Sequence, residues 1–290
     1  MTVIMPINWY PGHMHKASKE MQTLLDKCHV FLEILDARCP GASSNPLRAE
    51  LHKLKPHIRI LSKCDLAEDS ITRNWQAFFD KQTNSTCLLS SLEQPPGREH
   101  LLAIAESMTD STPAASAAFE QKLIVIAGIP NVGKSTLLNS WMGRKLAKTG
   151  NEPAITRAQQ TVRFLDRWHL VDTPGLLWPK LEDQEGAQLM AALGSIRQTA
   201  IDEQEVAWHL AARLLRSHYP LLTTRYDLDG EIHSVEALFS AIAVHRGAQR
   251  HGRPDLHKVA QILLQDLRSG RLGRISMEHP PGSWDSDWAP

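Results

Sequence analysis

Residues Gly128 to Thr136 read GIPNVGKST, directly after the apolar run KLIVIA (122–127) and directly before LLNSWM (137–142). The spacing is G-x-x-x-x-G-K-[ST], and it lies where that motif has to lie, between a strand and a helix. Glycines there let backbone N–H groups converge on phosphate oxygens, and the helix start adds partial positive charge. Lys134 can reach the outer phosphates, Ser135 can hold Mg²⁺, and Asn131, Val132, Gly133 and Thr136 complete the cradle. A glycine turn with no ligand is the competing reading, and strand, loop and helix together argue against it.

Downstream, the predicted strand WHLV (168–171) ends in Asp172-Thr173-Pro174-Gly175. A carboxylate at a strand end can hold Mg²⁺, and the Gly175 N–H can meet a γ-phosphate. Between the two motifs the loop AITRAQQ carries Thr156, whose hydroxyl could close over Mg²⁺ and the γ-phosphate. Thr161 is the alternative, but it falls in a predicted strand. Upstream, HIRIL (57–61) ends in Ser62-Lys63-Cys64-Asp65. A guanine reader needs a carboxylate for two base donors and a lysine stem over the ring, which Asp65 and Lys63 supply. Asn usually stands where Ser62 does, so the shorter side chain predicts that a contact bracing the pocket is weak or missing. Ser90-Ser91, after TCLL (86–89), could offer a backbone N–H to the base carbonyl.

The motifs run in the order base, second base loop, phosphate loop, Thr156, D-T-P-G. An ordinary GTPase begins with the phosphate loop and ends with the base motif, so the order predicts a circular permutation. Compact domains have neighbouring termini that can be joined and re-cut without disturbing a site. Short apolar runs at 30–35, 58–61, 86–89, 123–127, 161–165 and 169–171, spaced by helical stretches, predict a doubly wound, mostly parallel α/β sheet. Ser107 to Ala118 reads as a connector between its halves. After Trp178-Pro179 the pattern turns helical at 185–193, 203–215, 235–245 and 255–267, which predicts a small all-helical domain. The expected bounds are 1–180 for the permuted domain, 181–278 for the helical one and 279–290 for a frayed tail.

Composition narrows the function classes. The 290 residues contain no run of eighteen apolar residues, which excludes a spanning helix. Hydrophobic residues at 42% and charged residues at 22% are enough for real cores. Lys+Arg at 32 balance Asp+Glu at 32, so net charge does not announce a nucleic-acid partner. Locally, residues 246–274 hold seven Arg and Lys against two Asp, an excess of about +5. Arg268, Arg271 and Arg274, spaced by Gly270 and Gly273, can follow an RNA phosphate backbone, with a solvated helix face as the alternative. Cys28, Cys39, Cys64 and Cys87 form no C-x-x-C pair, and the first twenty residues lack a secretory pattern. A monomer in the cytoplasm, with no membrane partner, is the expectation.

Taken together these residues resemble the circularly permuted GTPases of the YlqF/RbgA type, assembly factors for the large ribosomal subunit. The resemblance is carried by NWYPGHMHKA (8–17), DARCPGASSNP (36–46), the base motif, GIPNVGKST, ITRAQQ (155–160), DTPGLLWP (172–179) and RSGRLGRIS (268–276). It departs at Ser62. It implies GTP/GDP and Mg²⁺ as ligands, and the large-subunit precursor and its rRNA as partners. Many GTPases place a water-orienting glutamine directly after the D-x-x-G glycine, where this chain has Leu176 and Leu177. The resemblance implies that His13 takes that task, and imidazole is chemically suited to it; a helix cap is the alternative. In related potassium-stimulated GTPases the asparagine at the place of Asn131 helps coordinate K⁺, and a loop-stabilising role is the alternative. An ATPase, or an RNA-binding module gated by nucleotide, is the competing function.

Overall fold

The computed structural model describes residues 23–44, 55–109, 121–143, 160–173 and 183–281. His13, Thr156, Gly175 and the predicted tail beyond residue 281 lie outside them. The described residues fall into two compact units, one of 23–173 with 276–281 and one of 183–275.

The first unit is a six-stranded sheet of β1 (Val30–Asp36), β2 (His57–Ser62), β3 (Ser85–Leu89), β4 (Lys122–Ala127), β5 (Gln160–Leu165) and β6 (Trp168–Asp172). Its order is β3-β2-β1-β4-β6-β5. Every neighbouring pair is parallel except β5 with β6. This is the doubly wound, mostly parallel sheet the spacing predicts. The strand VFLEILD is buried at all seven positions, as a strand covered on both faces must be. Glu33, in the middle of the strand, is tolerated there because His57 and Arg59 of β2 approach it at 3.3 and 3.6 Å. Arg59 in turn lies 4.5 Å over the ring of Phe79 on the helix Asp69–Asp80.

β1, β2 and β3 step toward one edge, and the chain then jumps to β4, beside β1. In open α/β sheets a ligand crevice forms beyond the carboxyl ends of the strands at such a reversal. Asp36, Ser62, Ser90, Gly128 and Asp172 all stand at or just beyond those ends. Gly128 has a packing reason to be glycine: a Cβ would lie 2.7 Å from the Ile34 carbonyl oxygen of β1. Of the connector predicted over 107–118, residues 107–109 are the last turn of the helix Arg98–Thr109, and the rest lies outside the described residues. Glu106 near that end accepts from Trp168 Nε1 at 2.6 Å, Lys122 Nζ at 2.9 Å and Arg167 at 3.0 Å.

The second unit contains the helices Gln184–Ala192, Glu203–Ser217, Tyr219–Tyr226, Val235–His245 and Leu256–Arg268. Four begin at side-chain caps, from Asp183, Asp202, Ser234 and Asp255. The eight-residue helix Tyr219–Tyr226 escapes a periodicity reading because two turns are too few to show a stripe. The predicted all-helical domain also holds a hairpin, Gln249–Arg250 with Arg253–Pro254. Its turn residues His251 and Gly252 are both left-handed, at φ 50° and 77°, the twist a two-residue hairpin turn requires. At the centre of the unit Asp266 takes Arg225 in two bonds of 2.9 Å, Arg246 at 3.1 Å and Tyr226 Oη at 3.2 Å. Burial alone would push its carboxyl pKa up; the bonds from Arg225 and Arg246 outweigh that and hold it down.

Residues 276–278, grouped with the helical segment by the sequence pattern, make their hydrogen bonds with the sheet unit. The Met277 N–H donates to Arg38 O at 2.7 Å. Glu278 accepts from the Gly41 and Ala42 amides at 2.7 and 3.0 Å, and its carbonyl accepts from Trp75 Nε1 at 3.0 Å. These contacts are polar and each uses a backbone group, so they leave no trace in hydrophobic periodicity. Among the described residues no helix is long and apolar enough to cross a membrane.

Candidate functional site

The phosphate loop leaves β4 and enters the helix Lys134–Met142 through Gly133, at φ 98°. The N-cap position, Gly133, has no side chain to cap the first turn, so among the described residues its leading amides remain donors without a capping acceptor. Lys134, the first helical residue, is buried, and its ammonium sits 3.1 Å from Asp172 Oδ1 and 2.6 Å from Thr173 O. Asp172 is brought there by register: it pairs with Ile126 across β4 and β6, two residues before Gly128. Thr173 Oγ1 donates to Ile126 O at 2.8 Å and fixes the exit of the strand.

The second oxygen of Asp172, Oδ2, is buried with no hydrogen-bond partner among the described residues. A carboxylate oxygen in that condition is costly unless a cation or water meets it. Ser135 stands half-buried in the adjacent first turn. One carboxylate oxygen and one hydroxyl beside a phosphate loop is an oxygen set that suits Mg²⁺, which keeps few protein ligands and completes its shell from phosphates and water. The residues present therefore fit that ion.

The base half adjoins the phosphate half. Ser62 ends β2, paired with Asp36 of β1, and its hydroxyl lies 2.8 Å from Leu35 O and 2.5 Å from Val132 O. The hydroxyl is thus short enough to meet the phosphate loop's backbone directly. Lys63, left-handed at φ 56°, donates to Asn131 O at 2.7 Å and to Asp36 Oδ2 at 2.9 Å. Asp65 lies exposed in the short turn Cys64–Leu66 that follows. Of the second base loop, the Ser90 N–H is given to Leu61 O at 2.9 Å and the Ser91 N–H to Gln94 O at 3.3 Å. Asn131 itself is left-handed at φ 62°, a conformation Asn tolerates well.

Asp36 and Arg38 open the segment DARCPGASSNP, which periodicity alone gives no role, and the structure supplies one. Arg38 grips the Asp36 carboxylate through Nε at 2.9 Å and a terminal nitrogen at 2.8 Å. Burial would raise the Asp36 pKa, but the charges of Arg38 and Lys63 prevail and hold it far below the usual carboxylate range. A permanently ionised Asp36 orients Lys63 from below while Asn131 O takes another of its protons. The signal available in sequence was an Asp-x-Arg at the end of a mostly apolar strand, where neither charge could stay buried alone.

Of the three arginines read as RNA contacts, Arg268 donates to Ala192 O and Ala191 O at 2.8 and 3.0 Å. It closes the carboxyl end of the helix Gln184–Ala192, a favourable place for a cation. Arg271 lies 3.5 Å from Asp266 with 55% of its side chain exposed, and Arg274 is exposed.

A family model described as 50S ribosome-binding GTPase matches residues 123–221. Ribosome biogenesis GTPase A of Bacillus licheniformis is 37% identical over 281 residues, spanning 95% of this chain and 99% of the relative. The protein of that name from Bacillus cereus is 36% identical over 282 residues, spanning 95% of each. Among solved structures, GNP-bound YlqF from T. maritima superposes with a TM-score of 0.62 at 24% identity, covering 92% of this chain and 99% of that one. Sequence likeness along nearly the whole chain, a shared fold and the permuted order of the motifs agree: the chain belongs to the ribosome biogenesis GTPase A family, circularly permuted GTPases of the P-loop class.

Proposed function

We propose that this chain is a Mg²⁺-dependent GTPase that assists assembly of the large ribosomal subunit, acting in the cytoplasm as a monomer. The observation that carries the reading is the pair of bonds joining the base motif to the phosphate loop, Ser62 Oγ to Val132 O and Lys63 Nζ to Asn131 O. Two motifs 68 residues apart, in reversed order, are locked into one crevice. In this reading Lys134 and the first-turn amides of Ser135 and Thr136 hold the phosphates, Gly133 lets the loop approach them, and Asp65 selects guanine. Ser135, Asp172 and Thr156 are the protein ligands for Mg²⁺, which when bound offsets phosphate charge. Gly175 presents its N–H to the γ-phosphate. His13 orients the attacking water, a role supported by the apolar Leu176 and Leu177 where a glutamine would otherwise stand. K⁺, if used, is met at Asn131. Residues 181–275 face the precursor particle and its rRNA.

The test compares two variants. Lys134→Ala removes a cation from the transferred phosphoryl group and is expected to lower turnover at least about a hundredfold with the fold intact by circular dichroism. Asp65→Asn is expected to move preference from GTP to xanthosine triphosphate, because an amide can donate where xanthine presents an oxygen. Full turnover in the first, or unchanged base preference in the second, contradicts the assignment.

A further inference from the structure

The hairpin of the second unit is built against its own stability. Arg250 and Arg253 stand directly opposite each other across two-residue strands. Like charges so placed destabilise a hairpin. His251 holds a left-handed turn position, φ 50°, where Asn or Gly would fold more readily. All four residues from Arg250 to Arg253 are exposed, and among the described residues neither arginine has an acidic partner. Other basic residues of the unit are differently used: Arg225 and Arg246 neutralise Asp266, and Arg268 closes a helix.

The base of the hairpin is tied to the unit by backbone bonds. Ala248 is fully buried, its N–H donates to Ala243 O at 2.8 Å, and its carbonyl accepts from the Asp255 N–H at 2.9 Å. The Asp255 carboxylate, the nearest acid in sequence, is taken by the Lys258 amide at 3.1 Å. The result is a finger anchored at its base and tipped with two exposed arginines whose Cα atoms pair about 5 Å apart across the strands. Guanidinium forks match phosphate oxygens geometrically, and a tip without apolar side chains lacks the centre a protein interface needs.

We propose that the tip Arg250-His251-Gly252-Arg253 is a phosphate-backbone contact through which this unit holds RNA. The inference rests on the ribosome-directed reading above and assigns its RNA contact to the hairpin in addition to Arg271 and Arg274. The experiment is the binding of full-length protein to large-subunit particles and to protein-free large-subunit rRNA across a salt series, for the unmodified chain and for Arg250→Gln/Arg253→Gln. The double variant is expected to bind both targets about tenfold or more weakly at 0.15 M salt. Its plot of log K against log salt is expected to be shallower by about 1.5, the loss of two phosphate contacts. Its thermal midpoint should be unchanged or higher, since a like-charge pair is gone, and its basal GTP hydrolysis unchanged.

Equal affinity and slope for variant and unmodified protein would overturn the hairpin assignment while leaving the ribosome reading in place. Weakened binding to particles with unchanged binding to free rRNA would mean a ribosomal protein is the partner and overturn the RNA contact. A fall in thermal midpoint of several degrees would make the arginines structural. Failure of the unmodified chain to bind either target would remove the ribosome reading itself, and the hairpin contact with it.

Discussion

Ser62 Oγ has one proton and two carbonyls within reach, Leu35 O and Val132 O. The shorter distance, 2.5 Å, is to the phosphate loop, so the hydroxyl ties the base motif to the loop that cradles phosphate. Ser62→Ala removes that tie and leaves a buried carbonyl short of a donor, a cost of about 1–1.5 kcal/mol. Because the tie orders the nucleotide crevice, GDP affinity is expected to fall about tenfold in a fluorescence titration. An unchanged Kd would mean that the brace is idle. The residue's place in the motif was legible, since Lys63 and Asp65 follow it at fixed spacing; what its side chain does was not, because the reach of a hydroxyl depends on how closely β2 approaches the loop. Asp36 was illegible for a related reason. Its partners Arg38 and Lys63 are 2 and 27 residues away, and only the pairing of β1 with β2 brings the second one in.

At the level of elements, Glu106 fastens the helix Arg98–Thr109 to the sheet through Trp168, Lys122 and Arg167. Burial opposes its charge, and these three bonds overcome that and hold its pKa near 2, against an ordinary value of 4.5. A depressed carboxyl contributes stability above its ordinary pKa and loses it as pH falls through the lowered one. Glu106→Gln is therefore expected to cost about 1 kcal/mol at pH 7, a figure kept small because a third of the side chain meets solvent. Scanning calorimetry should show the gap between variant and unmodified protein narrowing from pH 4.5 toward pH 2. A gap independent of pH would assign the effect to packing. Four long helices and all six strands of the first sheet were legible as elements, because apolar residues recur at periods of 3.6 and 2 or fill short runs. The hairpin was not: QRHGRP offers two strand residues a side and no apolar alternation, and only the paired left-handed turn defines it.

At the scale of the whole molecule, the order β3-β2-β1-β4-β6-β5 keeps the base motif, the phosphate loop and Asp172 at the carboxyl edge of one sheet although the chain meets them in permuted sequence. β1 and β4 are neighbours, so the Asp36 end of one strand and the Gly128 end of the other share a crevice regardless of where the termini fall. The added unit of 183–275 follows the D-T-P-G motif in the chain, where an ordinary GTPase continues into its remaining strands. A switch so connected suits a GTPase that is slow alone and faster on its particle. The decisive measurement is GTP turnover by the unmodified chain with and without large-subunit particles, in the presence of excess ATP. The account predicts slow hydrolysis alone, a clear rise with particles, and no competition from ATP. Absence of GTP hydrolysis in both conditions, or loss of turnover to ATP in proportion to its excess, would contradict it.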